Sequence, residues 1–276
     1  MFTLNCKGKL ILIEKPLVMG ILNLNNDSFY TGSRFQNLDA IGIKAEQMME
    51  EGADIMDIGG QSTRPGSERI SAEEEMQRVI PVIEMLSKKP GKVLLSIDTY
   101  HASVAEAAVH AGASIVNDIS AGEMDKNMID TVASLGVPYI CMHMKGIPET
   151  MHLHIHYENI ITEVLDFFIK KINECRLAGI KDVIIDPGFG FGKTVQHNLI
   201  LIKNLSVFKM IRKPIMAGLS RKSTIYKTLH TTAEDSLNGS TVLNTIALQN
   251  GAVILRVHDV KEAKEAAILV QAYGKA

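Results

Sequence analysis

The sequence predicts a parallel (β/α)8 barrel, an α/β fold. Short, β-branched apolar runs alternate with longer amphipathic segments from one end of the chain to the other. The runs are apolar almost without interruption, as strands buried on both faces must be. There are eight strand–helix pairs in 276 residues, the number and size that close one barrel. A doubly wound open sheet is the alternative for the same alternation.

The first element, Phe2 to Ile13, reads as a short β-hairpin turning at Lys7-Gly8-Lys9 and capping the barrel bottom. The strand–helix units follow in order. Leu17 to Leu24 precedes Asp39 to Glu51, Ala53 to Ile58 precedes Ser71 to Ser87, and Lys92 to Ile97 precedes Ser103 to Ala111. Ser114 to Ile119 then leads to Asp125 to Leu135, and Val137 to Met142 leads to Tyr157 to Ala178. The last three pairs are Asp182 to Ile185 with His197 to Ile211, Pro214 to Leu219 with Ala233 to Gln249, and Gly251 to Val257 with Val260 to Tyr273. Glycines follow several of the helices, as a helix C-terminus favours. No linker, charge block or low-complexity tract divides the chain, so residues 1–276 are expected to form a single domain.

Composition narrows the function. Lys plus Arg number 29 against 31 Asp plus Glu, a net charge of −2, which leaves no global field to hold nucleic acid. Positive charge for an anionic ligand must therefore be gathered locally. Aromatic residues make up 5% and Trp is absent, which disfavours a base-stacking or carbohydrate platform. Cys6, Cys141 and Cys175 form no CxxC pair and no even-numbered framework, pointing to a reducing compartment. No charged n-region precedes an apolar run at the N-terminus, and no stretch approaches the ~20 apolar residues that span a bilayer. A cytoplasmic chain with no membrane partner is expected.

In a barrel, chemistry gathers at the carboxyl ends of the strands. Those ends are Asn23; Gly59-Gly60-Gln61-Ser62-Thr63-Arg64-Pro65-Gly66; Asp98; Asn117-Asp118; His143; Asp186; Ser220-Arg221-Lys222-Ser223; and Arg256 with His258-Asp259. They divide into two sets. Asp98, Asn117 and Asp186 suit the edge of a flat heterocycle carrying N–H donors and a carbonyl, with acid–base work or a metal as the alternative. Arg64, Lys222, Arg256 and His258 are a cationic set that suits a phosphate or diphosphate. The segment from Asp186 to Thr194 lacks the glycine spacing of a Walker A motif, since Pro187 stands in it, and fails GxGxxG. It reads as a mobile loop, with Phe191 facing the site and Phe189 buried. His152, His154 and His156 alternate after the fifth strand but have no HExxH, so a metal site there is disfavoured. A Schiff-base role for Lys222 is disfavoured because its neighbours are expected to keep it charged rather than desolvated.

With these residues in view, the chain resembles the dihydropteroate synthase family of pterin-binding barrels. The matching segments are Met19 to Leu24 with Asp27-Ser28-Phe29, Gly59 to Gly66, Ser96-Ile97-Asp98-Thr99, Asp186 to Lys193 with Ser220 to Ser223, and Arg256 to Val260. Asn117-Asp118-Ile119 and Met142 to Gly146 also fit, so the resemblance runs from first strand to last. It implies condensation of a 6-hydroxymethyl-dihydropterin diphosphate with p-aminobenzoate in folate biosynthesis, in a homodimeric, Mg²⁺-using enzyme that sulfonamides target. Asp98, Asn117 and Asp186 would hold the pterin edge, with Met142 lining the pocket, Lys222 reaching the ring and Arg256 stacking on it. Asn23 would hold Mg²⁺, while Thr63, Arg64, Arg256 and His258 would contact the diphosphate. Phe29, Pro65, Phe191 and Ser223 would shape the p-aminobenzoate pocket. Departures from the family pattern are Asn25-Asn26 for Thr-Pro, Thr31 for Asp and Gln61 for Glu. The first two put closure of the first loop in question. The rivals are a folate-to-corrinoid methyltransferase, which needs no diphosphate clamp, and a non-catalytic pterin-binding protein.

Overall fold

The computed structural model describes residues 1–24, 34–61, 69–89, 93–148, 150–151 and 155–276. Strands β1 (Phe2–Cys6) and β2 (Lys9–Ile13) pair antiparallel around Lys7-Gly8, both at positive φ, forming the expected hairpin. Eight parallel strands follow: β3 (Leu17–Asn23), β4 (Ile55–Gly59), β5 (Leu94–Asp98), β6 (Ile115–Asp118), β7 (Tyr139–Met142), β8 (Val183–Asp186), β9 (Met216–Ala217) and β10 (Ile254–Val257). Their order in the sheet is β8-β7-β6-β5-β4-β3-β10-β9, and a parallel bridge from Ile185 to Ile215 brings the two edges together. The barrel reading holds and the open sheet does not.

Helices α1 (Arg34–Glu50), α2 (Ala72–Ser87), α3 (Ala102–Ala111), α4 (Met128–Leu135), α5 (Ile160–Ala178), α6 (Val195–Lys203), α7 (Ser223–Leu229), α8 (Leu237–Gln249) and α9 (Val260–Tyr273) surround it. Three expected segments are corrected. Where one helix was expected from His197 to Ile211, α6 stops at Asn204, whose side-chain amide donates back to Ile200 O, and a 3₁₀ segment Leu205–Ile211 continues. The helix expected from Ala233 begins at Leu237, preceded by α7, which the periodicity missed because seven residues rich in Thr and Ile carry no clear helical pattern. The strand expected from Pro214 to Leu219 keeps only Met216–Ala217 as regular ladder.

The alternation along the strands explains where the site lies. Leu17, Met19, Ile55, Leu94, Ile115, Ile140, Ile184, Met216 and Ile254, from all eight barrel strands, form one buried cluster inside the barrel. Leu4, Cys6 and Ile13 of the hairpin join it, plugging the bottom. The intervening residues, such as Met56, Ile58, Leu95, Ile97, Val116, Cys141, Ile185 and Leu255, face outward into the helix layer. Because side chains repeat every second residue, the next inward position up each strand is fixed by sequence. Those positions are Ile21, Asp57, Ser96, Asn117, Met142, Asp186, Gly218 and Arg256. The barrel is thus greasy at its base and polar at its mouth. Among the described residues no helix is long and apolar enough to cross a membrane, and all three cysteines are buried and free.

Candidate active site

Arg256 is the hub of the mouth. Its Nε donates to Asp57 Oδ2 at 2.6 Å and its Nη2 to Asp98 Oδ2 at 2.5 Å. Asn117 Nδ2 donates to the same Asp57 oxygen at 2.9 Å. Burial works against the Arg256 charge, but the carboxylates outweigh it and raise its pKa. Asp98 is pushed up to about 7 by burial, with Arg256 opposing and Asp57 and Asp118 adding to the rise. Asp57 Oδ1 and Ser96 Oγ are buried with no hydrogen-bond partner among the described residues.

On the opposite wall, Asp186 Oδ1 accepts from Gly188 N at 2.8 Å. Burial raises its pKa, and the charge of Lys222 opposes this. Lys222 Nζ donates to Phe189 O at 2.6 Å and lies 4.8 Å from the centre of the Phe191 ring. Burial lowers its pKa to about 8, against the pull of Asp186 and Asp98. The expectation that Lys222 would escape desolvation is therefore corrected, although its carboxylate neighbours keep it largely protonated at pH 7. Between these walls stands Gly218, where a Cβ would lie 3.7 Å from Lys222 Nζ and 3.9 Å from both Asp186 Oδ2 and the Arg256 Cβ. The missing side chain leaves a slot bounded by acids, cations and an apolar patch. That patch is Met142 with Tyr100, Ile119, Met144 and Met151, and Phe191 packs against it.

Other expected residues lie at the rim. Asn23 ends β3 with its Oδ1 3.5 Å from where a Gly59 Cβ would sit, and Asp98 Cβ is equally near that point. Ser223 opens α7 directly after Lys222. The expectation that His258 belongs to a cationic set is corrected. Burial first, then the charge of Arg256, holds its imidazole below the usual range, so it is neutral at pH 7. Ser220 Oγ accepts from its backbone N–H and lies 3.3 Å from its Nδ1. Phe29, Thr63, Arg64 and Pro65 lie outside the described residues, as do Asn25, Asn26, Thr31, His152 and His154. Gln61 turns into its own loop, where its Oε1 accepts from Ile70 N at 2.9 Å. Asp118 faces the helix layer, bonded to Ser120, Gly122 and Tyr139, and takes no part in the mouth. His156 is exposed, and no group of three or more metal-type side chains occurs among the described residues.

Sequence reasoning missed Asp57, Ser96, Ser220 and Lys193. Asp57 left a signal, an acid inside the apolar run Ile55-Met56-Asp57-Ile58, on the inward phase shared with Ile55 and Gly59. The loop after β8 is a further correction. It is pinned rather than mobile, because its glycines serve close approach: a Cβ on Gly188 would lie 2.0 Å from His143 O, and one on Gly192 2.4 Å from Lys145 O. Phe189 is fully buried, as expected; Phe191, expected to be exposed toward the site, is half-buried because it packs on the Met142 cluster.

Known proteins are similar to this chain. A family model described as pterin binding enzyme matches residues 19–258. The chain is 42% identical over 275 residues to the dihydropteroate synthase of Haemophilus influenzae, covering 99% of each. Among solved structures, it superposes on the Yersinia pestis dihydropteroate synthase in a sulfonamide drug complex with a TM-score of 0.93, at 39% identity and full coverage of both chains. The Xanthomonas albilineans dihydropteroate synthase with 4-aminobenzoic acid gives a TM-score of 0.91 at 39% identity, covering 99% of this chain and 98% of that one.

Proposed function

The chain belongs to the pterin-binding enzyme family and has dihydropteroate synthase activity; from that premise we propose how its own residues carry the reaction. A C–N bond forms between the pterin methylene carbon and the amine of p-aminobenzoate, while the C–O bond to the diphosphate breaks. The bonding pair leaves with pyrophosphate, and the amine proton passes to solvent. The observation that carries this reading is that Asp186, Lys222 and Arg256 converge on the bare face of Gly218, while Arg256 in turn holds Asp98 and, through Asp57, is joined to Asn117.

Asp98 commits one oxygen to Arg256, and Asp186 one oxygen to Gly188, so each keeps another for a ligand N–H. Two acids and the Asn117 amide then read the donor–acceptor edge of the pterin. Met142 supplies an apolar surface beneath the ring, and Arg256, held flat by Asp57 and Asp98, lies against it. As the diphosphate departs, positive charge develops on the pterin and negative charge on the leaving group. The acids favour the first; Lys222 and Arg256 favour the second, and Arg64 and Thr63 complete the anion contacts in this reading. His258, neutral in the free protein, gains a proton or donates its N–H when the diphosphate arrives. Phe191 and Ser223, with Phe29 and Pro65, shape the p-aminobenzoate subsite, where a sulfonamide would compete.

In this reading Asn23 would help hold Mg²⁺. One neutral amide oxygen makes no metal site alone, but it fits a cation that keeps its waters and takes its remaining ligands from substrate phosphates. The cation would supply charge neutralisation on the leaving group. We propose a cytoplasmic setting on the three free, buried thiols, and a homodimer on the resemblance alone. A coupled pyrophosphate-release assay tests the function. Release that requires both the pterin diphosphate and p-aminobenzoate, and falls on adding a chelator, is expected; absence of release with both substrates and Mg²⁺ present would overturn it.

A further inference from the structure

Lys193 stands in the stretch that superficially resembles a phosphate loop, yet it turns away from the mouth. It is 4% exposed, and its Nζ lies 3.1 Å from His143 O, 3.0 Å from Gly188 O, 2.9 Å from Phe191 O and 2.9 Å from His143 Nδ1. A lysine amine carries at most three N–H groups, so every donor it owns is spent inside this nest. Two of the acceptors belong to the loop after β8 and two to the end of β7. The amine therefore staples one strand end to the next loop.

That loop carries the partners of Lys222. Phe189 O receives the Lys222 ammonium, and the Phe191 ring lies under it. The loop's far end is fixed as well: Thr194 caps α6 in a reciprocal box with His197, and Asn198 Oδ1 accepts from Gly190 N at 2.9 Å. Between those anchors, Gly188 and Gly192 press against backbone atoms of His143 and Lys145, a fit no larger residue allows. Tyr157 OH donates to Gly192 O at 3.1 Å, closing the nest from the side.

We propose that Lys193 is a positioning residue for the reaction: its buried amine locks the β8–α6 loop in the shape that presents Phe189 O to Lys222 and sets the Phe191 ring at the p-aminobenzoate subsite. The proposal rests on the function stated above. Lys193 touches no reacting atom and acts through the loop. Burial pushes its pKa well below the usual lysine range, with the charge of Asp186 opposing.

Two measurements on the full-length protein test the lock, and they fail independently of the function. In Lys193→Met, which keeps the bulk and removes the donors, amide hydrogen exchange across residues 187–193 should accelerate at least about tenfold while exchange elsewhere in the barrel stays unchanged. The KM for p-aminobenzoate should rise about tenfold or more, with the KM for the pterin diphosphate changing far less. Lys193→Arg, which restores donors and charge, should recover part of the loss. Unchanged exchange in this loop would overturn the lock even if the wild-type enzyme turns over normally. Lower specific activity with both KM values within about twofold of wild type would reduce Lys193 to a folding contact and overturn the positioning role. If Lys193→Met does not fold, the same exchange and KM comparisons are made in Lys193→Gln, with the same outcomes deciding.

Discussion

Asp98 and Lys222 give the site a pH window that can be worked out residue by residue. Asp98 sits at about 7, because burial outweighs its Arg256 partner. Below that pH it is protonated and loses acceptor capacity, so pterin binding weakens as pH falls. Lys222 sits at about 8 for the same reason of burial, so above that pH the cation proposed to face the leaving group is lost. The profile of kcat/KM against pH should therefore be bell-shaped and narrow, with limbs near those values. Asp98→Asn should erase the acid limb and weaken pterin binding by about 1.5–3 kcal/mol in a calorimetric titration. Lys222→Met should erase the alkaline limb. A profile flat from pH 6 to 9 would contradict both assignments. Asp57 makes a different prediction. It is fully buried beneath Arg256 and Asn117, so Asp57→Ala leaves a guanidinium short of one partner. Urea denaturation should show a loss toward the lower end of about 3–5 kcal/mol, since Asp98 still faces the arginine.

Single elements differ in how firmly the barrel holds them. β9 keeps two ladder residues, and its flanks are secured by separate bonds: Ile185 N to Pro214 O at 2.9 Å and Val253 N to Ile215 O at 2.9 Å. Pro214 has no N–H to give, and Gly218 opens directly into the slot. The seam between β8 and β9 is thus the least regular in the barrel, and it carries Asp186 on one side and Gly218 on the other. Native-state hydrogen exchange should find its amides less protected than those of β4 and β5, which pair over five residues. Uniform protection around the ring would refute this. The seam adjoins the site because a strand ending early leaves room for a ligand.

At the scale of the molecule, the barrel separates stability from chemistry by height. Leu4 of the hairpin is buried in the lower cluster, far along the strands from the mouth. Leu4→Ala should lower stability by about 2–5 kcal/mol and leave both KM values unchanged. Gly218→Ala should do the reverse. The new methyl meets its neighbours at 3.7–3.9 Å, ordinary contact, so melting temperature should barely move while pterin binding falls because the slot is filled. If Leu4→Ala alters KM, or Gly218→Ala melts early, the division by height is wrong.

Much of this was legible in the chain itself. Eight near-continuous apolar runs, each followed by an amphipathic segment, pointed to the barrel and its capping hairpin, and once those strands are assigned pleat geometry leaves no choice of face for Asp98, Asn117, Asp186 and Arg256. Asp57 was legible too, as the one acid in its apolar run. What sequence could not supply is the pairing across the mouth. That Arg256 binds Asp57 and Asp98, 199 and 158 residues away, follows only from closure of the ring. The neutrality of His258 and the depressed pKa of Lys222 are likewise products of burial, which residue type does not encode. The glycines after Asp186 read as freedom along the chain. In space they are the reverse, since only residues without a Cβ let two backbones touch and let Lys193 fasten them.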